Sequence, residues 1–329
     1  MILYLSFAQI LLRIVPNKCL EGPRMYKDAY ELKKLVSKIL MAANANQVNA
    51  KVVAEHLVSA NLSGVDTHGV WQLPGYISAI QAGELVPAAQ PEILQETATS
   101  ALVTGNWTFG QVAAKFAMEK AIAKVAKYDL ALVGIVESHH IGRLGEYAEM
   151  AASKKMISMI SAGGFSENRP VVVPHGGRKA ILGTNPIAMG FPAGNEPRML
   201  FDFATAASSG VKIVNAQRSK KKIPEGWIVD KEGNPSQNAD DVLEGGGQLP
   251  FGEHKGYSLL MATEWLSRVF TGSSRFSQDN RGGPYFSHSG TTMIVFRADL
   301  FQSFPDYADR ADRLKQRVKS VPPAPGFEE

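Results

Sequence analysis

Apolar residues recur at helical spacing at Leu32, Leu35, Val36, Ile39 and Leu40, and again at Val48, Val52, Val53, Leu57 and Val58. That pattern predicts a helical hairpin at the head of the folded body. From about residue 100 the period changes. Ala101–Val103 reads as a strand, Gln111–Lys127 as an Ala-rich helix and Leu130–Val136 as a buried strand; Arg143–Lys154 is again helical and Met156–Ser161 again a strand. This βαβαβ rhythm predicts an α/β sheet with helices packed against it. The stretch from Pro170 to Pro192 is rich in Pro and Gly and reads as loop with a short strand at most. Beyond it, Met199–Phe203 and Thr291–Phe296 read as strands, and Gly256–Phe270 and Tyr307–Val318 as helices.

The first 24 residues break the pattern. Ile2 to Val15 is apolar but interrupted by Gln9 and Arg13, and it is shorter than the ~20 residues that span a bilayer. It lacks the basic start and small-residue cleavage site of a signal peptide. We expect residues 1–24 to be an extension outside the fold, with the body opening near Met25. Its division is expected to run as a helical region over 25–100, joined by 300–329, and an α/β domain over 101–299.

Composition narrows the class. Thirty-five Lys+Arg against 31 Asp+Glu leave +4 over 329 residues, and the basic residues are scattered apart from Arg218-Ser219-Lys220-Lys221-Lys222. Charge therefore gives nucleic-acid binding no support, and no membrane partner is expected, an amphipathic anchor over residues 1–24 being the minority alternative. The single cysteine, Cys19, excludes a disulfide framework, an iron–sulfur cluster and a thiolate zinc site. A reducing cytoplasm is the simplest setting. No Gly-x-Gly-x-x-Gly follows a predicted strand and no P-loop occurs, so any nucleotide is held by other means.

Five segments carry candidate chemistry. In Gly64-Val65-Asp66-Thr67-His68-Gly69, a His flanked by glycines and a hydroxyl suits proton transfer near neutral pH, or is a His bonded within a turn. Ser138-His139-His140-Ile141-Gly142 follows a buried strand, at the edge where α/β sheets commonly place ligands. Adjacent residues of extended chain point to opposite sides, so this pair suits a single acid/base better than one shared metal. Pro174-His175-Gly176-Gly177 through Gly183-Thr184-Asn185-Pro186 suits a ligand loop or any tight connection. Phe201-Asp202-Phe203-Ala204-Thr205 ends an apolar strand on a carboxylate that could hold ribose hydroxyls, orient a His or cap a helix. Leu249-Pro250-Phe251-Gly252-Glu253-His254-Lys255-Gly256-Tyr257 places a Lys in a turn before a helix, where it could neutralise phosphate.

Taken in order, these segments closely resemble the malate/L-lactate dehydrogenase family of the second type. The relatives in that family include ureidoglycolate dehydrogenase, diketogulonate reductase, sulfolactate dehydrogenase and piperideine-2-carboxylate reductase. Leu73-Pro74-Gly75-Tyr76 and Ile223-Pro224-Glu225-Gly226-Trp227-Ile228-Val229-Asp230 complete the series, which covers about residues 27–329. The resemblance implies an α/β but non-Rossmann NAD(P)-binding fold, a mixed sheet flanked by helices with an N-terminal helical region. It implies a homodimer that interconverts a 2-hydroxy acid and a 2-oxo acid by hydride transfer, using NAD or NADP and no metal. By motif, His140 would be the acid/base and His68 a second donor beside it. Thr67, Gln72 and Tyr76 would line the substrate pocket with Thr184 and Asn185. Gly164, Asp202, Phe203, Ala204, His254 and Lys255 would contact the nucleotide.

Three departures qualify this resemblance. Gln72 stands where the family usually has an Arg that grips the substrate carboxylate, so another cation must do this or the substrate must differ. Gly163-Gly164 replaces a more polar pair near the cofactor. The chain stops at Glu329, where the family continues into a further nucleotide-contacting turn and a final helix. The alternative reading is accordingly a member that keeps fold and dimer but has lost turnover; a metal hydrolase built on His139, His140 and His175 lacks ligand spacing.

Overall fold

The computed structural model describes residues 27–164 and 169–327; the expected extension over 1–24, with Met25 and Cys19, lies outside them. Two antiparallel-looking helical signals in the sequence become α1 (Ala29–Ala42) and α2 (Gln47–Leu62). Each is started by a side-chain cap: Asp28 accepts from the Tyr30 and Glu31 N–H groups, and Asn46 from that of Asn49. Their apolar stripes meet α3 (Leu73–Gln81) in a core of Leu40, Val53, Leu57, Tyr76, Ile77, Leu85 and Phe109. Each such side chain contributes roughly 1.5–3 kcal/mol relative to exposure.

The main sheet has seven strands in the order β1-β2-β3-β10-β4-β5-β6. These are β1 (Glu92–Glu96), β2 (Ser100–Thr104), β3 (Leu130–Val136), β4 (Met156–Gly163), β5 (Ile187–Phe191), β6 (Met199–Phe203) and β10 (Gly290–Arg297). Only β2 and β3 pair in parallel, and the remaining pairs are antiparallel. The sheet is therefore mixed and flanked by helices. The helix α4 (Gly110–Tyr128) connects β2 to β3, and α5 (Leu144–Ala152) connects β3 to β4. Ala113, Ala114, Ala117, Met118, Ala121 and Val125 of α4 are fully buried against the sheet; the small side chains let backbone and sheet approach closely. The predicted rhythm is present, but β10 arrives from far along the chain and separates β3 from β4.

A second sheet of three short strands, β7 (Ile228–Val229), β8 (Pro235–Ser236) and β9 (Gly247–Gln248), is tied back through bridges from Val172 to Leu182 and Gln248. The helix α6 (Gly210–Ser219) precedes it and α7 (Glu253–Glu264) follows. The predicted helix over 256–270 starts earlier and changes character: Trp265–Val269 is a π-helical turn. There Ser267 Oγ donates back to Thr263 O and Thr271 Oγ1 to Ser267 O, loosening the ladder.

Two features of the structure bear on the expected division. β1 lies within residues 25–100 yet belongs to the main sheet. The terminal helix α9 (Phe304–Lys319) does not join the N-terminal helices through its hydrogen bonds. Its Asp312 carboxylate accepts the N–H groups of Gly194, Asn195 and Glu196 in the β5–β6 turn, and Lys319 pairs with Glu196. Orphan turn donors and a charged helix face explain this placement. The short helix α8 (Gly283–Phe286) precedes β10. Among the described residues no helix is long and apolar enough to cross a membrane.

Candidate active site

The C-terminal end of β3 runs into the loop 137–143, and the start of α3 with its preceding turns faces it. This brings His68, Tyr76 and His140 together. Tyr76 Oη and His140 Nδ1 lie 2.7 Å apart, and Gln111 Nε2 donates to the same phenol oxygen at 2.6 Å. The phenol has one proton, and with its oxygen occupied by the amide donor that proton is directed to His140 Nδ1. The neutral ring then carries its own proton on Nε2. His68 stacks on His140 with ring centroids 5.5 Å apart, and Thr67 Oγ1 sits 3.0 Å from His68 Nδ1. Phe286 of α8 closes the other side, 4.6 Å from the His139 ring and 5.5 Å from that of His140.

Burial governs the electrostatics here. It lowers His68 and His139 to about 4 and holds His140 well below the usual histidine range, with neighbouring histidines adding to the effect at His68 and His140. All three are thus neutral at pH 7. Burial also raises Tyr76, opposed by its bond to Gln111, so the phenol stays protonated and available as a donor. Gln72, expected in the pocket, donates its Nε2 to Thr67 O at 2.7 Å and braces its own loop.

A second network lies behind the histidine loop. His56, 1% exposed, accepts the Arg143 N–H at Nε2 and faces Glu146 through Nδ1 at 3.1 Å. Gly142 has φ +77°, and a Cβ there would run into His56, so the loop turns at a glycine. Asp202, at the end of β6, accepts the Gly145 N–H with Oδ2 at 2.7 Å. It therefore caps α5 from across the fold while the residue as a whole remains exposed. Burial of that carboxylate raises its pKa, opposed by the Gly145 bond and by Arg143.

The remaining predicted residues form a separate strip. Phe203 and Phe251 meet edge to face at 5.8 Å, and His254 meets His175 at 6.1 Å. His254 and Lys255 are exposed in the first turn of α7. Gly256 lies so close to Phe251 O that no side chain fits. Exposed aromatic edges, a cation at a helix start and the free side of the Asp202 carboxylate fit a nucleotide's base, phosphate and ribose in chemical type. Ala204 continues this strip from β6. Gly164 has φ +112° and donates its N–H to Glu264 at 3.0 Å. Asn185 is 2% exposed and its Nδ2 donates to Leu260 O and Glu264, while Thr205 Oγ1 donates to Thr184 O and Asn185 O. Thr184 and Asn185 thus brace the loop against α7, apart from the histidine pair's hydrogen bonds. Among the described residues no group of three or more His, Cys, Asp or Glu could hold a metal ion.

The sequence reading missed Gln111, Phe286, His56 and Arg143. A signal for Gln111 was present: it is the polar member of the buried stripe continued by Ala114, Met118, Ala121 and Val125. Phe286 had none, since only the tertiary fold carries it to the histidines.

A sequence profile of malate/L-lactate dehydrogenase matches residues 28–329. The chain is 35% identical over 299 residues to L-sulfolactate dehydrogenase of Methanocaldococcus jannaschii, covering 90% of this chain and 85% of that one. It is 32% identical over 300 residues to hydroxycarboxylate dehydrogenase B of Escherichia coli, covering 90% and 82%. The solved sulfolactate dehydrogenase from M. jannaschii superimposes with a TM-score of 0.82 at 34% identity, over 92% of this chain and 87% of that one. The delta1-piperideine-2-carboxylate reductase from Pseudomonas syringae does so with 0.83 at 30%, over 93% and 90%.

Proposed function

The chain belongs to the malate/L-lactate dehydrogenase family, and on that premise we propose that it is an NAD- or NADP-dependent oxidoreductase interconverting a 2-oxo acid and its 2-hydroxy acid. The observation that carries this reading is the relay from Gln111 through Tyr76 to His140, stacked on His68 in a site that keeps its histidines neutral. The named activities of the relatives, on sulfolactate and on hydroxycarboxylates, support the same substrate class.

When bound, the nicotinamide supplies the hydride to C2 of the 2-oxo acid, or accepts it in reverse. The protein's part is to place the substrate and move one proton. Phe203, His254 and Lys255, with Asp202 and Ala204, are the residues that would hold the nucleotide. His140 Nε2–H donates a hydrogen bond to the C2 carbonyl oxygen and polarises it. Entry of an anionic substrate favours a protonated ring, offsetting the burial that depresses it. The ring then takes a proton from solvent at Nδ1, the Tyr76 O–H turning away so that its oxygen accepts the new N–H, and the ring releases its Nε2 proton to the developing alkoxide. In the oxidative direction the same exchange runs backwards. A positioned His contributes typically ~10²–10⁴-fold to such a step.

Exposed Trp265, Val269 and Phe270 form an apolar face after α7, which supports a homodimer. The lone cysteine in the sequence supports a reducing, cytoplasmic setting. The test is oxidation of NADH and of NADPH against pyruvate, oxaloacetate, 2,3-diketogulonate, piperideine-2-carboxylate and oxalurate, followed by absorbance of the reduced nicotinamide. Turnover of any of them is expected. Binding of neither cofactor by well-folded protein would refute the reading. Cofactor binding without turnover would favour the impaired member, with Gln72 the residue at fault.

A further inference from the structure

We infer that His56, set by Glu146, is the positioning residue that holds the His140 loop in its working geometry. This rests on the 2-oxo acid reading above and names what keeps its acid/base in place.

The loop 137–143 carries His140 between two packed surfaces. On one side, Gly110 at the start of α4 lies so close to the His139 and His140 carbonyl groups that no side chain fits there. On the other, His56 of α2 meets the residues that follow His140. Gly142 lies so close to its ring that a Cβ would strike Nε2, and the Arg143 N–H donates to that same nitrogen at 2.9 Å. Tyr147 of α5 stacks on the His56 ring with centroids 5.6 Å apart, and its Oη donates to Ile141 O at 2.6 Å. The three residues after His140 are therefore all fixed by one stacked pair.

Chemistry explains why a histidine stands here. His56 is 1% exposed, and an apolar side chain would fill the same space at less desolvation cost. It would also leave the buried Arg143 N–H without an acceptor. Because Nε2 accepts, the proton of the neutral ring is on Nδ1. That atom stands 3.1 Å from Glu146 Oε2, off the direction of a straight hydrogen bond. Burial pushes the Glu146 carboxyl up, but His56, Arg143 and Lys115 hold it below the usual carboxylate range, so it is charged at neutral pH. A negative charge beside Nδ1 favours the tautomer that keeps Nε2 free to accept. His56 then acts through the loop, where a displacement of about 1 Å at a reacting group costs on the order of 10²-fold.

The experiment compares wild type with His56→Leu, which removes both nitrogens, and His56→Gln, whose amide oxygen can stand where Nε2 stood. Kinetics on the best 2-oxo acid are combined with fluorescence titration of NAD(P)H and a double-mutant cycle with His140→Ala. We expect kcat to fall about tenfold in His56→Leu and to stay within about threefold of wild type in His56→Gln. NAD(P)H affinity should hardly move in either. In the His140→Ala background, His56→Leu should lower the residual turnover less than about twofold, because the group it positions is gone. Wild-type kcat in His56→Leu, or a tenfold loss in both backgrounds, would overturn the assignment. If His56→Leu does not fold, Glu146→Ala, which keeps the ring but frees its tautomer, is judged by the same cycle, with a loss of about threefold expected. If wild type binds NAD(P)H yet turns nothing over, the reaction reading fails on its own. Nitrogen NMR of the imidazoles then judges His56 separately: a single Nε2–H tautomer at His140 that becomes mixed in His56→Leu supports it, and an unchanged spectrum overturns it.

Discussion

Removing one oxygen atom tests the relay directly. Tyr76→Phe keeps the ring, which is 2% exposed and packs edge-on to Phe109 at 6.0 Å, so volume and core packing are preserved. It deletes the oxygen between Gln111 Nε2 and His140 Nδ1. Gln111 is 1% exposed and its Oε1 is already without a partner, so its buried amide is left without its hydrogen bond. Orphaning a buried polar group costs about 1–3 kcal/mol; at about 2 kcal/mol, a chain of this length should melt roughly 3 °C lower. The catalytic effect is distinct. Without the phenol, His140 loses the partner that fixes its proton on Nε2. Loss of one hydrogen bond of about 1.4 kcal/mol in that selection lowers kcat about tenfold. KM should change little, because the phenol oxygen's hydrogen bonds go to Gln111 and to the imidazole. The assay pairs steady-state kinetics with thermal melting, and Gln111→Met serves as a second variant that should lower kcat less than Tyr76→Phe. Wild-type kcat in Tyr76→Phe, at any melting temperature, would refute the relay.

Further outcomes follow from the same geometry. His140→Ala should reduce turnover at least ~10²-fold with NAD(P)H binding retained, as kinetics and fluorescence titration would check. Stability should fall on acidification. His68 and His139 titrate near pH 4 when folded and near 6.5 when unfolded, so their contribution is complete above about pH 6.5 and lost progressively toward pH 4. For His139, 7% exposed, the full loss is about 3 kcal/mol, readable from denaturant melts across that window. Gly256→Ala should displace the Phe251–Lys255 turn, because its Cβ runs into Phe251 O. NAD(P)H affinity is expected to drop at least tenfold, and equal affinity by titration would remove this turn from the nucleotide site.

Helices and strands whose stabilising pattern is local were readable from residue order. The hairpin α1–α2, the strand Leu130–Val136 and the helix α4 all carry apolar repeats at the period of their own geometry. The motif order gave the family, and it named His68, Tyr76 and His140 as one site. Elements stabilised mainly by neighbours did not show. β1 is mostly exposed and charged, β7 to β9 are two residues each, and the central place of β10 depends on pairing with β3 and β4. The chemistry divides in the same way. Tyr76 is 64 residues from His140 and 35 from Gln111 along the chain, and the spacing of a sequence carries no record of such pairs. Nor does it say that Asp202 caps α5, or that Gln72 is committed to its own loop. Propensity and periodicity are properties of neighbouring residues, legible wherever they occur. Which proton a histidine carries, and which carboxylate caps a helix from across the fold, depend on solvent exclusion and on partners that meet only when the chain has packed.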